Sequence, residues 1–93
     1  MDDVVRYFGR AVGRVQGVGF RYFVQQNAVE FGLCGWVCNM NDGSVTMELQ
    51  GSQAMVDKIT QRIRKGNAFI RVESLELEPR DVLEDEKRFQ IRY

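Results

Sequence analysis

The chain has 93 residues, 44% of them hydrophobic and 28% charged, a balance that suits a globular protein and excludes a disordered polymer. Lys and Arg number 13, as do Asp and Glu, and this zero net charge argues against nucleic-acid binding, which ordinarily requires a basic excess. The acidic start Met1-Asp2-Asp3 is unlike a signal peptide, and no apolar stretch approaches the roughly 20 residues that cross a bilayer. We therefore expect one domain over residues 1–93, in the cytoplasm and without a membrane anchor.

The first half of the chain predicts a strand, a helix and a hairpin. Val4 to Val15 is strand-like, and after a break at Gln16-Gly17-Val18-Gly19 the apolar residues recur at helical spacing. A second strand over Leu33 to Met40 and a third over Gly43 to Gln50 follow. The turn between them, Asn41-Asp42-Gly43, favours a hairpin.

The second half predicts another helix and strand. Ser52 can cap a helix that ends at Gly66, and a fourth strand covers about Ile70 to Glu78. The apolar residues of this strand change phase between Val72 and Leu75, which predicts a bulge there.

The end of the chain predicts one further strand. Pro79 is expected to close the fourth strand, and Asp81 to Lys87 to form a mobile charged loop without a site of its own. Phe89 to Tyr93 alternates again as a short terminal strand. The resulting β-α-β-β-α-β order plus a short strand predicts an α+β, ferredoxin-like split βαβ fold, an antiparallel sheet with two helices on one face.

The segment Gly13-Arg14-Val15-Gln16-Gly17-Val18-Gly19-Phe20-Arg21 joins the first strand directly to the first helix. Glycines allow a backbone whose successive N–H groups converge on an anion, and the helix N-terminus adds its own free N–H groups. Arg21 is placed to donate two hydrogen bonds to phosphate oxygens. The segment is not a Walker phosphate-binding loop, because such a loop needs Lys-Ser or Lys-Thr after its last glycine and this sequence has Val18-Gly19 there. By spacing alone, a glycine-rich turn beside a surface arginine remains an equal alternative.

This segment resembles the signature loop of the acylphosphatase family, and Gly35-Trp36-Val37-Cys38-Asn39-Met40-Asn41-Asp42-Gly43-Ser44-Val45 resembles the second motif of that family. The resemblance extends to the ending Phe89-Gln90-Ile91-Arg92-Tyr93. It implies hydrolysis of acyl phosphates with Arg21 and Asn39 as the catalytic pair. The residues implied to bind phosphate are Gln16, Gly17, Val18, Gly19, Phe20 and Arg21.

An acyl phosphate has a good leaving group, because its carboxylate departs without needing a proton. The loop and Arg21 can hold the phosphoryl group, and the Asn39 amide can orient a water by donating to it and accepting from it. No metal or cofactor is expected. The expected partner is a small acyl phosphate, with inorganic phosphate or sulfate as a competing anion, and the protein is expected to be a monomer.

Two alternatives from other classes remain: a non-catalytic phosphate-binding domain and an RNA-binding module of the same fold. The second is disfavoured because the third strand, around Val45-Thr46-Met47-Glu48, has no aromatic residue for base stacking. Cys34 and Cys38 lie roughly 13 Å apart on an extended strand, so we expect free thiols. Trp36 shares their face and is expected to cover the open side of the sheet.

Overall fold

The computed structural model of the chain describes residues 3–93, and within them the elements occur in the predicted order. These elements are β1 Val4–Arg14, α1 Phe20–Glu30, β2 Cys34–Asn39, β3 Val45–Ser52, α2 Gln53–Lys65, β4 Arg71–Arg80 and β5 Phe89–Arg92. Ser52 caps α2 as expected, since its Oγ accepts a hydrogen bond from the Met55 N–H at 3.3 Å. Gly66 follows the last residue of α2. No helix of the described chain combines the length and the apolar character that crossing a bilayer requires.

The strands form one sheet in the order β4-β1-β3-β2-β5. The pairs β1–β4, β1–β3 and β2–β3 are antiparallel, which is the predicted ferredoxin-like arrangement. The fifth strand departs from the expected antiparallel sheet, because β5 pairs with β2 in parallel. The connection from β4 delivers the chain to the end of the sheet where β2 begins, so β5 must run in the same direction as β2.

The core lies between the two helices and one face of the sheet. That face contributes apolar side chains without measurable exposure: Ala11, Val37, Val45, Met47 and Leu49. The helices bury Phe20, Val24 and Ala28 from α1 and Val56, Ile59 and Ile63 from α2 against them. Burying each larger side chain of this kind stabilises the fold by about 1.5–3 kcal/mol.

β4 has the predicted bulge but does not end at the predicted residue. The expected bulge is present, because Val12 pairs with Ser74 and Gly13 with Val72, which leaves Glu73 without a partner on β1. The expected stop at Pro79 is wrong, since the strand continues to Arg80. β4 is an edge strand, so the missing N–H of Pro79 interrupts no ladder on its outer side.

The connection between β4 and β5 is fastened to the open face of the sheet, whereas the sequence predicts a mobile loop. Arg6 on β1 is only 2% exposed and donates to Glu48 at 2.5 Å and to Glu86 of the connection at 2.7 Å. The Gln50 amide accepts from the Leu83 N–H at 2.9 Å and donates to the Leu83 carbonyl at 2.8 Å. Polar contacts of this kind hold the connection in place although its composition is that of a solvated loop.

Candidate active site

The loop between β1 and α1 is shaped by two glycines and held by two buried side chains. Gly17 and Gly19 have φ angles of 74° and 77°, in the left-handed region that favours glycine. Val15 and Phe20, at the two ends of the loop, are each 1% exposed. The Gly19 carbonyl accepts from the Phe23 N–H at 2.9 Å and so begins α1. The first N–H groups of α1 have no partner within the helix and, with the helix dipole, form a site for an anion.

Gln16 connects this loop to the hairpin that follows β2. Its side-chain Nε2 donates to the Met40 carbonyl at 2.7 Å and to the Ser44 carbonyl at 2.9 Å. Asn39, the last residue of β2, directly precedes the hairpin. The two Gln16 hydrogen bonds therefore fix the distance between the loop and Asn39. The sequence predicts Gln16 as a phosphate-binding residue. Because its side-chain NH2 donates both of these hydrogen bonds to the hairpin, its backbone N–H is the group left for that role.

The hairpin is itself held by a network around Asp42. One carboxylate oxygen accepts from the Ser44 N–H at 2.9 Å and from its hydroxyl at 2.6 Å, while the other accepts from Arg10 at 2.9 Å. These hydrogen bonds, those from Ser44 first and that from Arg10 next, hold the pKa of Asp42 well below its usual range. The network keeps the Ser44 carbonyl where Gln16 reaches it.

Arg21 lies in the first turn of α1 and contacts the C-terminal end of β5. Its Nη1 donates to the Arg92 carbonyl at 3.1 Å, and its Cζ lies 4.6 Å from the centroid of the Tyr93 ring. Within residues 3–93 this is the one hydrogen bond recorded for its guanidinium. The remaining N–H groups of the planar fork are left for a ligand.

Asn39 carries an unusual polar atom. Its Oδ1 is buried, and within the described residues it has no hydrogen-bond partner. An acceptor of this kind, in a residue that lines a pocket, is a candidate partner for a bound water or ligand.

Arg21 and Asn39 line the same pocket, which has a volume of about 300 Å³. The predicted residues Gly17, Gly19 and Phe20 line it too, whereas Gln16 and Val18 do not. Val18 instead packs against the core.

The pocket also has lining residues that were not predicted from the sequence. They are Val15, Tyr22, Ile91 and Tyr93. The family resemblance includes the ending with Ile91 and Tyr93 but assigns neither residue to the site, and the parallel pairing of β5 with β2 places them beside the loop about 70 residues earlier.

The open face of the sheet carries Trp36 and the two free cysteines, as predicted for β2. Trp36 is half-buried, with its ring centroid 6.4 Å from that of Phe8 and the Arg92 Cζ 4.9 Å above it. Burial, together with the negative charge of Glu86, raises the pKa of the Cys34 thiol, which makes this thiol a weaker nucleophile at neutral pH. Among the described residues, His, Cys, Asp and Glu side chains do not gather in groups of three or more that could hold a metal ion.

The comparison with known families decides what kind of protein this is. A family model described as acylphosphatase matches residues 7–91, which is most of the chain. The chain belongs to the acylphosphatase family. The family resemblance predicted from the loop and from the Asn39 motif is thereby confirmed.

Individual acylphosphatases are similar over nearly their whole length. The acylphosphatase of Geobacillus kaustophilus is 51% identical over 81 residues, which cover 87% of this chain and 86% of that protein. The acylphosphatase of Clostridium beijerinckii is 43% identical over 90 residues, which cover 97% of this chain and 100% of that protein. The crystal structure of the acylphosphatase from Bacillus subtilis has a TM-score of 0.90 at 37% identity, covering 96% of this chain and 99% of that one. This similarity confirms the predicted fold class.

Proposed function

We propose that this chain hydrolyses acyl phosphates in the pocket between the glycine loop and β5, with Arg21 and the loop holding the phosphoryl group and Asn39 placing the water. Members of the acylphosphatase family are hydrolases of acyl phosphates, and the chain is an enzyme of this class. The roles of the individual residues are our proposal. One observation carries it: the unpaired Oδ1 of Asn39 and the fork of Arg21 line one small pocket.

The phosphoryl group is held by two sets of donors. The backbone N–H groups from Gln16 to Arg21 surround the oxygens at the N-terminus of α1, where the helix dipole favours negative charge. Arg21 donates two parallel hydrogen bonds from its guanidinium. These donors are in place before the substrate arrives, so they stabilise the charge that spreads over the equatorial oxygens in the transition state.

The attacking water is oriented by Asn39. Its buried Oδ1 accepts a hydrogen bond from the water, which gives this acceptor the partner that the described residues lack. The water oxygen forms a bond to phosphorus as the bond from phosphorus to the acyl oxygen breaks, and the carboxylate leaves with the electron pair. The proton of the water passes to the phosphate. The leaving carboxylate needs no general acid.

Several properties follow from a pocket that recognises the phosphoryl head. Inorganic phosphate and sulfate present similar oxygens to the same donors and compete with the substrate. We propose that the protein acts as a monomeric single domain in the cytoplasm, on small acyl phosphates and without a nucleic-acid partner.

The test is hydrolysis of benzoyl phosphate by wild type, Arg21→Ala and Arg21→Lys, with p-nitrophenyl phosphate as a second substrate. Wild type should hydrolyse benzoyl phosphate. It should not hydrolyse p-nitrophenyl phosphate, because the leaving group of this ester is poorer. Arg21→Ala should lose about 10³-fold in rate, the scale of arginine contacts to a transferred phosphoryl group. Arg21→Lys should not restore activity, because an ammonium group cannot form the planar fork.

Arg88→Gln is the matched control, since it removes one exposed positive charge that does not line the pocket. This variant should keep the wild-type rate. Substantial activity in Arg21→Lys would contradict the role of the fork. A folded wild type that binds phosphate but hydrolyses no acyl phosphate would leave a non-catalytic phosphate-binding domain.

A further inference from the structure

The two ends of the sheet differ in charge. β1 and β2 finish, and β4 starts, at the end where α1 begins, because β1 is antiparallel to both β3 and β4 and β3 is antiparallel to β2. β5 finishes there too, since it is parallel to β2. α2 reaches the same end, as only residues 66–70 separate it from β4. We call this end, which contains the pocket, the site end.

The site end is rich in positive charge. Its cationic side chains are Arg14, Arg21, Arg64, Lys65, Arg71 and Arg92. No ion pair within residues 3–93 involves any of them. Carboxylates are fewer at this end: Asp42 of the hairpin is paired with Arg10, and Glu73 lies at the bulge of β4. The opposite end contains the connection from β4 to β5, with the acidic residues Asp81, Glu84, Asp85 and Glu86. A chain of zero net charge therefore presents a positive pole where its anionic substrate binds.

Arg14 and Arg71 are the two cations of this set for which the described part of the fold offers no stabilising contact. They lie directly opposite each other on β1 and β4, and both are exposed. Like charges at directly opposite positions destabilise a sheet. Arg64 and Lys65 differ in this respect, because they lie in the last turn of α2 and complement its dipole. Glu73 at the bulge of β4 supplies one negative charge nearby, and an anion close to Arg14 and Arg71 would relieve their repulsion further.

We propose that the site end selects acyl phosphates that carry a second anionic group on the acyl side, with Arg14 and Arg71 as specificity-determining residues. This inference rests on the proposed function, which accounts for the phosphoryl head alone. Arg14 does not line the pocket, but it directly precedes Val15 of the pocket wall, so β1 ends with this charge at the same end of the sheet as the bound substrate. At an ionic strength of about 0.01 M the screening length is about 30 Å, so under these conditions a carboxylate or phosphate on the acyl chain lies within the field of these exposed charges.

Two substrates of nearly equal shape isolate the effect. Succinyl phosphate and butyryl phosphate share a four-carbon acyl chain, and the former has a terminal carboxylate. The measurement is the ratio of their kcat/KM values in wild type and in Arg14→Gln/Arg71→Gln. Lys87→Gln/Arg88→Gln is the matched control, since it removes the same amount of charge from the connection at the opposite end.

In wild type at low salt the ratio should favour succinyl phosphate by about fourfold, the product of a roughly twofold effect from each of two charges roughly 10 Å away in water. It should fall toward one in Arg14→Gln/Arg71→Gln, which keeps the other cations of the site end, and stay at the wild-type value in the control. In wild type it should also collapse at about 1 M salt, where the screening length is near 3 Å. An unchanged ratio in Arg14→Gln/Arg71→Gln would overturn the proposal.

Failure of the proposed function would look different, because wild type would then hydrolyse neither compound. Calorimetric binding of inorganic phosphate and pyrophosphate would still test the charge preference. Arg14→Gln/Arg71→Gln should weaken pyrophosphate binding more than phosphate binding, and equal weakening would overturn the proposal. Both side chains are exposed, so the variant should fold; Arg14→Gln alone is the second variant and should lose part of the preference.

Discussion

The aromatic ring of Tyr93 lies against the guanidinium group of Arg21, with 4.6 Å between the Arg21 Cζ and the ring centroid. Tyr93 is 97% exposed, so this ring contributes little to the core. The neighbouring Arg92 carbonyl accepts from Arg21 Nη1 at 3.1 Å. Ring and carbonyl together restrict the plane of the guanidinium before a phosphate arrives.

Removing this ring should loosen Arg21 without unfolding the protein. A cation–π contact at an exposed site contributes about 0.5–1 kcal/mol, so Tyr93→Ala should weaken phosphate binding and lower kcat/KM by about two- to fivefold. Tyr93→Phe keeps the ring and should behave like wild type. Inhibition by inorganic phosphate, measured alongside the melting temperature, separates positioning of Arg21 from a loss of stability. Wild-type kinetics in Tyr93→Ala would show that Arg21 needs no such support.

Asn39→Ala should lower turnover and leave the stability almost unchanged. The substitution removes an acceptor that lines the pocket and has no partner among the described residues, so the fold loses no hydrogen bond to it. Phosphate affinity should change little, because the loop and Arg21 hold the anion. Three measurements check this prediction: thermal unfolding for the stability, titration with phosphate for the affinity, and kcat for benzoyl phosphate for the turnover. A loss of phosphate binding equal to that of Arg21→Ala would show that Asn39 holds the phosphate.

Arg6 should contribute to stability and not to catalysis. Its side chain is 1% exposed and paired with Glu48 and Glu86, which are 20% and 21% exposed. Arg6→Leu leaves both carboxylates without their partner and should reduce the free energy of unfolding by about 3 kcal/mol. Glu86→Gln, which keeps a hydrogen-bond acceptor, should cost only about 1 kcal/mol. Urea unfolding measures both, and an unchanged kcat for the folded fraction supports the assignment.

Asp42 should make the hairpin sensitive to acid. The folded state holds its pKa below the usual value of about 3.9, so its stabilising contribution is complete above that value and is lost as the pH falls further. Asp42→Asn should therefore melt at a lower temperature than wild type at pH 7, and the difference should shrink below about pH 4. Equal pH dependence of melting in the two proteins would contradict the role of the carboxylate.

Much of the fold is predictable because its determinants are local. The apolar spacing of α2, its Ser52 cap and the phase change in β4 each depend on residues within a few positions of one another. The predicted end of β4 at Pro79 is wrong, because the effect of a proline depends on whether its strand has a neighbour on both sides. At the edge of the sheet a missing N–H is tolerated, and edge position is a tertiary property.

The sequence by itself determined the order of the elements, the glycine loop before α1 and the family, because short-range patterns and contiguous motifs carry this information. Only the tertiary structure decided which distant groups meet. It buried Arg6 against Glu86, 80 residues away, and it placed Tyr93 beside Arg21, 72 positions earlier. Such contacts depend on strand order and direction, and above all on the parallel pairing of β5 with β2, which periodicity along the chain does not encode.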